Sequence, residues 1–437
     1  MKVHLNGIDP YTGQPLISAT AVDWLGAALR NAQRLPVDPD GRAAGLPFGK
    51  RPESVEDAGW GLVCPAEEAD ELARAFGPLV RRRRGRVLCH EPGETAARWL
   101  ARYGAGQGSI LPERVPGYLL IAGGADRIPF RFSQELNVEY AVGRVHFGDL
   151  QEYARYAERT AALRRQPRRA AFFAPRHAMD PATQLSADRL VRPLALEDPV
   201  ANICGCLADV RIAEQATRSA LADLLKDPPG LLFTASHGLG WPAGDPQQPS
   251  RQGALLCQDW KPFAPVRPGH IFSGADVDSA ADLRGMIAFV FACFGVGTPQ
   301  EDSFEWPGGP VLAPEPFFSE LPRRMLEAGA AAVIGHLDRA WGYSIESPGA
   351  GTQIQPFRNT IGRLLSGETV GYAVRDFQER YASLSVTFLE LLRRDAAGLG
   401  VSPRALAAQW IERNDAGGYL VFGDPAARLT LMEETHR

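Results

Sequence analysis

Short apolar runs closed by glycine, proline or histidine recur along the chain from residue 61 onward. They are separated by stretches in which apolar residues return every three or four positions. Residues 61–65, 86–90, 118–122, 170–174, 230–235, 287–292, 331–335 and 419–422 have the length and apolar density of buried strands. Helices are expected between them over 67–76, 95–103, 150–163, 212–225 and 317–328, with two or three more filling 357–412. Strands alternating with helices predict a parallel sheet covered on both faces. Before residue 61 the chain is rich in Gly, Pro and Asp, and one amphipathic stretch, 21–35, reads as a helix. Three segments lack regular periodicity: 180–202, 239–252 and 298–316. Loops of that length are often functional, and the first and third are expected to be mobile switches.

Composition narrows the class of protein. The chain has 437 residues, 45% hydrophobic and 22% charged, with a net charge of −4. That is an ordinary globular composition with room for more than one domain. The weak net charge favours neither nucleic acid nor an anionic membrane as partner. No apolar run reaches the length of a membrane span, and the N-terminus has no signal-like apolar core, so a cytoplasmic protein is expected. The six cysteines are scattered rather than arranged as a disulfide framework. Cys204-Gly-Cys206 has no second pair nearby, and Gly104, Gly106 and Gly108 do not lie between a strand and a helix. Neither a metal nor another cofactor is therefore expected.

The candidate chemistry lies at two strand ends. One apolar run stops at Ser236-His237-Gly238, the other at Ala292-Cys293, followed by Gly295 and Gly297. The 56 positions between His237 and Cys293 leave room for one right-handed crossover, which would set the two ends side by side on one edge of a parallel sheet. A thiol attacks as its thiolate, and an imidazole next to it takes the proton. The N–H groups of Gly238 and Cys293 would then hold an oxyanion.

His-Gly ending one strand and Ala-Cys ending the next resembles the signature of the caspase-like, clan CD, cysteine peptidases, with gingipain-like and CHAT-type proteases most similar. Val138-Glu139-Tyr-Ala-Val-Gly-Arg144 resembles the segment that opens the gingipain catalytic subdomain, residues 332–341 the strand and loop after the nucleophile, and residues 419–429 a strand ending in Gly-Asp-Pro. The resemblance implies an α/β, caspase-like three-layer sandwich with a mostly parallel central sheet. A smaller α/β subdomain, 1–135, would precede the catalytic domain, 136–437. It also implies a cysteine endopeptidase acting through a thioester. Cys293 would be the nucleophile, His237 the base, Gly238 an oxyanion donor, and Glu139 the carboxylate behind the histidine. Trp341 would lie against the substrate side chain, with Asp338 and Asp149 as acids for an Arg or Lys residue before the scissile bond. The partners implied are a protein or peptide substrate and a regulatory protein, in the manner of bacterial systems that cleave one dedicated target. Two rivals stay open: a non-catalytic caspase-like binding module, and a thiol amidase acting on a small substrate.

Overall fold

A computed structural model describes residues 7–14, 46–162, 164–304 and 311–432. The helix expected over 21–35 lies outside the described residues. Ten strands form one sheet: β1 Trp60–Pro65, β2 Arg86–His90, β3 Tyr118–Ala122, β4 Ala141–Val145, β5 Arg169–Ala174, β6 Leu207–Ile212, β7 Leu231–Ala235, β8 Ile287–Phe291, β9 Ala332–His336 and β10 Tyr419–Gly423. Their spatial order is β2-β1-β3-β4-β10-β9-β8-β7-β5-β6. Every neighbouring pair is parallel except β9 and β10. Two parallel halves thus meet back to back in the middle, and helices cover both faces. The mostly parallel three-layer α/β arrangement expected from the alternation is the one observed.

Side-chain alternation divides the core. Ile287, Phe289, Phe291 and Cys293 belong to one buried cluster, and Ala288, Val290 and Ala292 to the other. Phe289 is the centre of the first. Its ring lies 5.2 Å from Phe233, 5.7 Å from Phe357 and 5.9 Å from Phe377. Large rings packed in this way fix β7 against β8 and leave little freedom for the residues just beyond the strand ends.

The Gly-Asp-Pro ending of β10 has a structural task. Asp424 is fully buried. Its carboxylate accepts from Trp60 Nε1 at 2.8 Å and from Arg83 Nη2 at 2.7 Å, and its N–H donates to Tyr156 Oη at 2.6 Å. The C-terminal strand is thereby fastened to the first half of the sheet. Asp424→Ala strands the buried Trp60 indole N–H and removes the ion pair of the half-buried Arg83, and is expected to cost about 1–3 kcal/mol in chemical denaturation.

Residues 180–202, expected to be irregular, are largely helical. A short helix, Pro181–Leu185, runs into π-helical turns over Ser186–Val191 and Pro193–Glu197, and Leu190, Val191 and Leu194 are in the core. The segment is therefore packed against the core rather than irregular. β6 was not foreseen either. It is an edge strand, paired to β5 alone, with half-buried side chains rather than an apolar run. No helix among the described residues is long and apolar enough to cross a membrane.

Candidate active site

The parallel β7–β8 pair brings two strand ends together. Ala235 pairs with Phe291, and the next N–H, of Ser236, donates to Phe291 O at 3.1 Å. Continued two residues past that pair, this register sets His237 level with Cys293. Gly238 fits because it has no side chain: a Cβ there would lie 1.8 Å from the Cys293 carbonyl oxygen. Gly238→Ala is expected to destabilise the fold by about 1–3 kcal/mol, seen as a lower denaturation midpoint, and to part the histidine from the thiol.

His237 sits where the chain leaves the large sheet for a four-stranded one, in which Gly238–Leu239 lies between Gly7–Ile8 and Leu255–Leu256. Its carbonyl accepts from Leu256 N–H at 3.0 Å, and Ser236 Oγ donates to Leu256 O. Both ends of the histidine backbone are thus anchored. The ring is fully buried, with Nε2 2.7 Å from Asp180 Oδ2. Asp180 caps the helix Pro181–Leu185: its side chain accepts from Ala182 N–H, and its Oδ2 from Thr183 Oγ1 at 3.0 Å. Burial by itself would push the Asp180 carboxyl up, but the charge and hydrogen bond of His237, with help from Thr183, hold it well below the usual carboxylate range. An ionised Asp180 keeps a proton on Nε2, and Nδ1 is the ring nitrogen turned away from the carboxylate. Nδ1 is buried and has no hydrogen-bond partner among the described residues.

A second histidine backs this pair. His177 Nδ1 is 3.9 Å from Asp180 Oδ2, its Nε2 is 3.1 Å from Cys257 O, and its ring meets Trp260 edge-on. Burial, then the nearness of His237, pushes His177 down to about 4, so it is neutral and donates Nε2–H to Cys257.

Cys293 Sγ accepts from Ala340 N–H at 3.2 Å. Complete burial raises the thiol well above its ordinary value, and Arg339 opposes that only in part. The thiol is therefore protonated in this closed arrangement. The chain reverses direction here in two left-handed residues, Phe294 (φ 55°) and Asp338 (φ 68°), joined by a 2.6 Å bond from Phe294 N–H to Asp338 O. Non-glycine residues pay a conformational cost in that region, and such strain gathers at functional sites.

The other expected site residues divide into those at the thiol and those far from it. Trp341 is at the site, 3% exposed, with its ring 5.3 Å from Phe304 and its backbone N–H donating to Asp415 Oδ1 at 2.8 Å. Asp338 is there too, but it is not an open acid. It accepts from Ser303 N–H and Oγ and from Arg339 N–H and Nε, and burial raises it to about 6. Glu139 is elsewhere. It accepts from Gly108 N–H at 2.7 Å at the start of β4, four strand spacings or roughly 19 Å from β7, so it does not support His237. Asp149 follows the far end of β4, on the edge where β8 and β9 begin. It is exposed and caps the helix Leu150–Ala161 by accepting from Glu152 N–H. The sheet reversal between β9 and β10 puts Asp149 a full strand length away from the thiol. Asp180, which sequence reading overlooked, has one local signal: Asp followed by Pro is a helix start. No group of three His, Cys, Asp or Glu side chains among the described residues is placed to hold a metal ion.

No protein-family model and no curated protein matches the chain in sequence. Among solved structures, the chain is similar to a complex of the pro- and mature domains of Porphyromonas gingivalis RgpB, with TM-score 0.48, 11% identity, and 85% of this chain and 80% of that one covered. It is also similar to the Arg-specific cysteine proteinase gingipain R, with TM-score 0.44, 11% identity, and coverage of 91% and 81%. A third structure, described only as a protease, gives TM-score 0.49, 13% identity, and coverage of 86% and 80%. These likenesses concern the course of the chain, whereas the chemistry depends on the side chains above.

Proposed function

We propose that the protein is a cysteine endopeptidase of caspase-like architecture, with Cys293 as nucleophile, His237 as general base and acid, and Asp180 as the residue that orients the imidazole. The observation that carries this reading is the buried His237–Asp180 pair, 2.7 Å apart, on the strand end next to the one that bears the thiol.

The thiol proton passes to His237 Nδ1, and the thiolate attacks the peptide carbonyl carbon. The N–H groups of Gly238 and Cys293 would hold the developing oxyanion. Collapse of the intermediate breaks the C–N bond. The amine leaves with the proton from His237, and a thioester remains on Cys293. Water, deprotonated by His237, then releases the carboxylic acid and restores the thiol. Asp180 keeps the imidazolium in place but is not itself protonated.

The thioester is the species that tests the reading. Acid quenching during turnover of a peptide mixture, followed by mass spectrometry, is expected to find an acyl group on the Cys293 peptide that hydroxylamine removes as a hydroxamate. Peptide hydrolysis that persists in Cys293→Ala would contradict it.

A further inference from the structure

Every group that would touch a substrate is covered. Cys293 and His237 are fully buried, and Phe304, Ala340 and Trp341 share the thiol's core cluster. The cover is tied down by charge. Arg339, one residue before the N–H that meets Sγ, forms ion pairs with Asp338 (Nε to Oδ1, 3.2 Å) and with Asp302, and its guanidinium lies 5.1 Å from the centre of the Phe304 ring. The Asp302 side chain is 5% exposed and that of Arg339 4%. Ser303 donates twice to Asp338 Oδ2, at 2.7 and 3.2 Å, and its carbonyl accepts from Asn414 Nδ2.

The two acids differ in what they belong to. Asp338 is on the same loop as Arg339, directly after β9. Asp302, Ser303 and Phe304 belong to another segment, beyond the short strand Gly297–Thr298. Access to Sγ requires part of this cover to move, and the segment carrying Phe304 and Asp302, which packs on Trp341 and Arg339, would be that part. Arg339 would then hold a desolvated guanidinium beside the nucleophile with one of its two carboxylates gone. The departing segment contributes one carboxylate to Arg339 and two neutral donors to Asp338, and no cation. An occupant that takes its place with the same complementarity carries an acidic side chain.

We propose that Asp302-Ser303-Phe304 is an internal stand-in for substrate, and that Arg339 selects an Asp or Glu side chain next to the scissile bond. The proposal rests on the peptidase reading and replaces the basic specificity expected from sequence, whose two acids are respectively remote (Asp149) and already paired (Asp338). It also makes the resting enzyme latent, because the stand-in and the substrate compete for one guanidinium.

The test uses peptidyl acyloxymethyl ketones that differ only in the residue next to the warhead: Asp, Asn, Arg or Leu. In each, Sγ displaces the carboxylate leaving group to form a thioether, and the thiol proton is taken up by His237. The full chain is expected to react at Cys293 about 100-fold faster with the Asp probe than with its Asn isostere. Asp302→Asn is expected to raise the Asp-probe rate about tenfold by releasing the cover, and Arg339→Gln to bring the Asp and Asn rates together. Because Arg339→Gln can unfold the loop, the Asp-to-Asn ratio on the unaltered chain and on Asp302→Asn decides the matter. Equal or faster labelling of Cys293 by the Arg or Leu probe overturns the acidic selection while leaving the peptidase reading intact. If no probe labels Cys293 even in Asp302→Asn, the peptidase reading fails, and this proposal with it.

Discussion

Cys293→Ala is expected to abolish peptide hydrolysis, a loss on the order of 10⁶-fold in kcat, the scale seen when a covalent nucleophile is deleted. The size follows from the route. Without the sulfur there is no thioester. Of the other cysteines, Cys64 lies on β1 in the other half of the sheet, Cys89 on β2, and Cys204 and Cys206 before β6. Cys257 follows the residue that pairs with the His237 carbonyl, but its thiol donates to Leu255 O at 3.7 Å. Alanine removes a single small atom from a cluster that contains Phe291, Ala340 and Trp341. Its stability cost is expected at about 1 kcal/mol, so thermal denaturation can separate lost chemistry from lost fold.

Asp180→Asn is the second large effect, expected at about 10⁴-fold in kcat by the same logic that governs a carboxylate behind a catalytic histidine. Asn keeps the shape and can still accept from Ala182 through Oδ1, with its amide nitrogen where Oδ2 stood. It can also present an N–H to Nε2, which moves the imidazole proton to Nδ1, the nitrogen that must receive the thiol proton. It removes the negative charge that stabilises the imidazolium as well. A kcat that falls while KM stays close to that of the unaltered chain is the readout that a merely structural change would not give. Glu139→Gln serves as the contrast. Its side chain touches Gly108, far from the thiol, and activity is expected to stay within about twofold. A large loss in Glu139→Gln, with little in Asp180→Asn, would reverse the assignment.

The sequence revealed whatever could be read from local pattern. Eight of the ten strands announce themselves as short apolar runs, seven of them because strands buried on both faces need no alternation; the edge strand β2 is only partly buried. β4 is legible through Val138-Glu-Tyr-Ala-Val-Gly-Arg144, although the strand itself is Ala141–Val145. β6 escapes because a half-buried edge strand can carry Asp209 and Arg211 without penalty. The expected helix over 212–225 begins only after Thr217, whose side chain caps Arg218–Lys226. The stretch before it is the end of β6 and a single 3-10 turn. The two strand ends that carry His237 and Cys293 were legible for the same reason as the strands.

What surrounds those ends was not legible, because it is settled by packing across long separations. Asp180 reaches His237 over 57 positions through a helix start that is indistinguishable in sequence from many others. Glu139 and Asp149 were placed by motif, but the antiparallel junction of β9 and β10 sets one four strands away and the other on the opposite edge. Asp338 was read as an open acid, whereas the Arg339 beside it and Ser303 from another loop consume its oxygens. Charge partners within one or two residues are easily overlooked when a lone acid is sought.

The central claim is that one buried thiol, and no other, is activated by the histidine on the neighbouring strand. Peptide mapping by mass spectrometry after treatment of the full chain with a peptidyl acyloxymethyl ketone tests it most directly, with Cys293→Ala and His237→Ala treated alongside. A single adduct on Cys293 in the unaltered chain, absent from both variants while their folds are retained, is the result predicted here. Adducts shared among Cys89, Cys204 and Cys293, or undiminished labelling of Cys293 in His237→Ala, would contradict it.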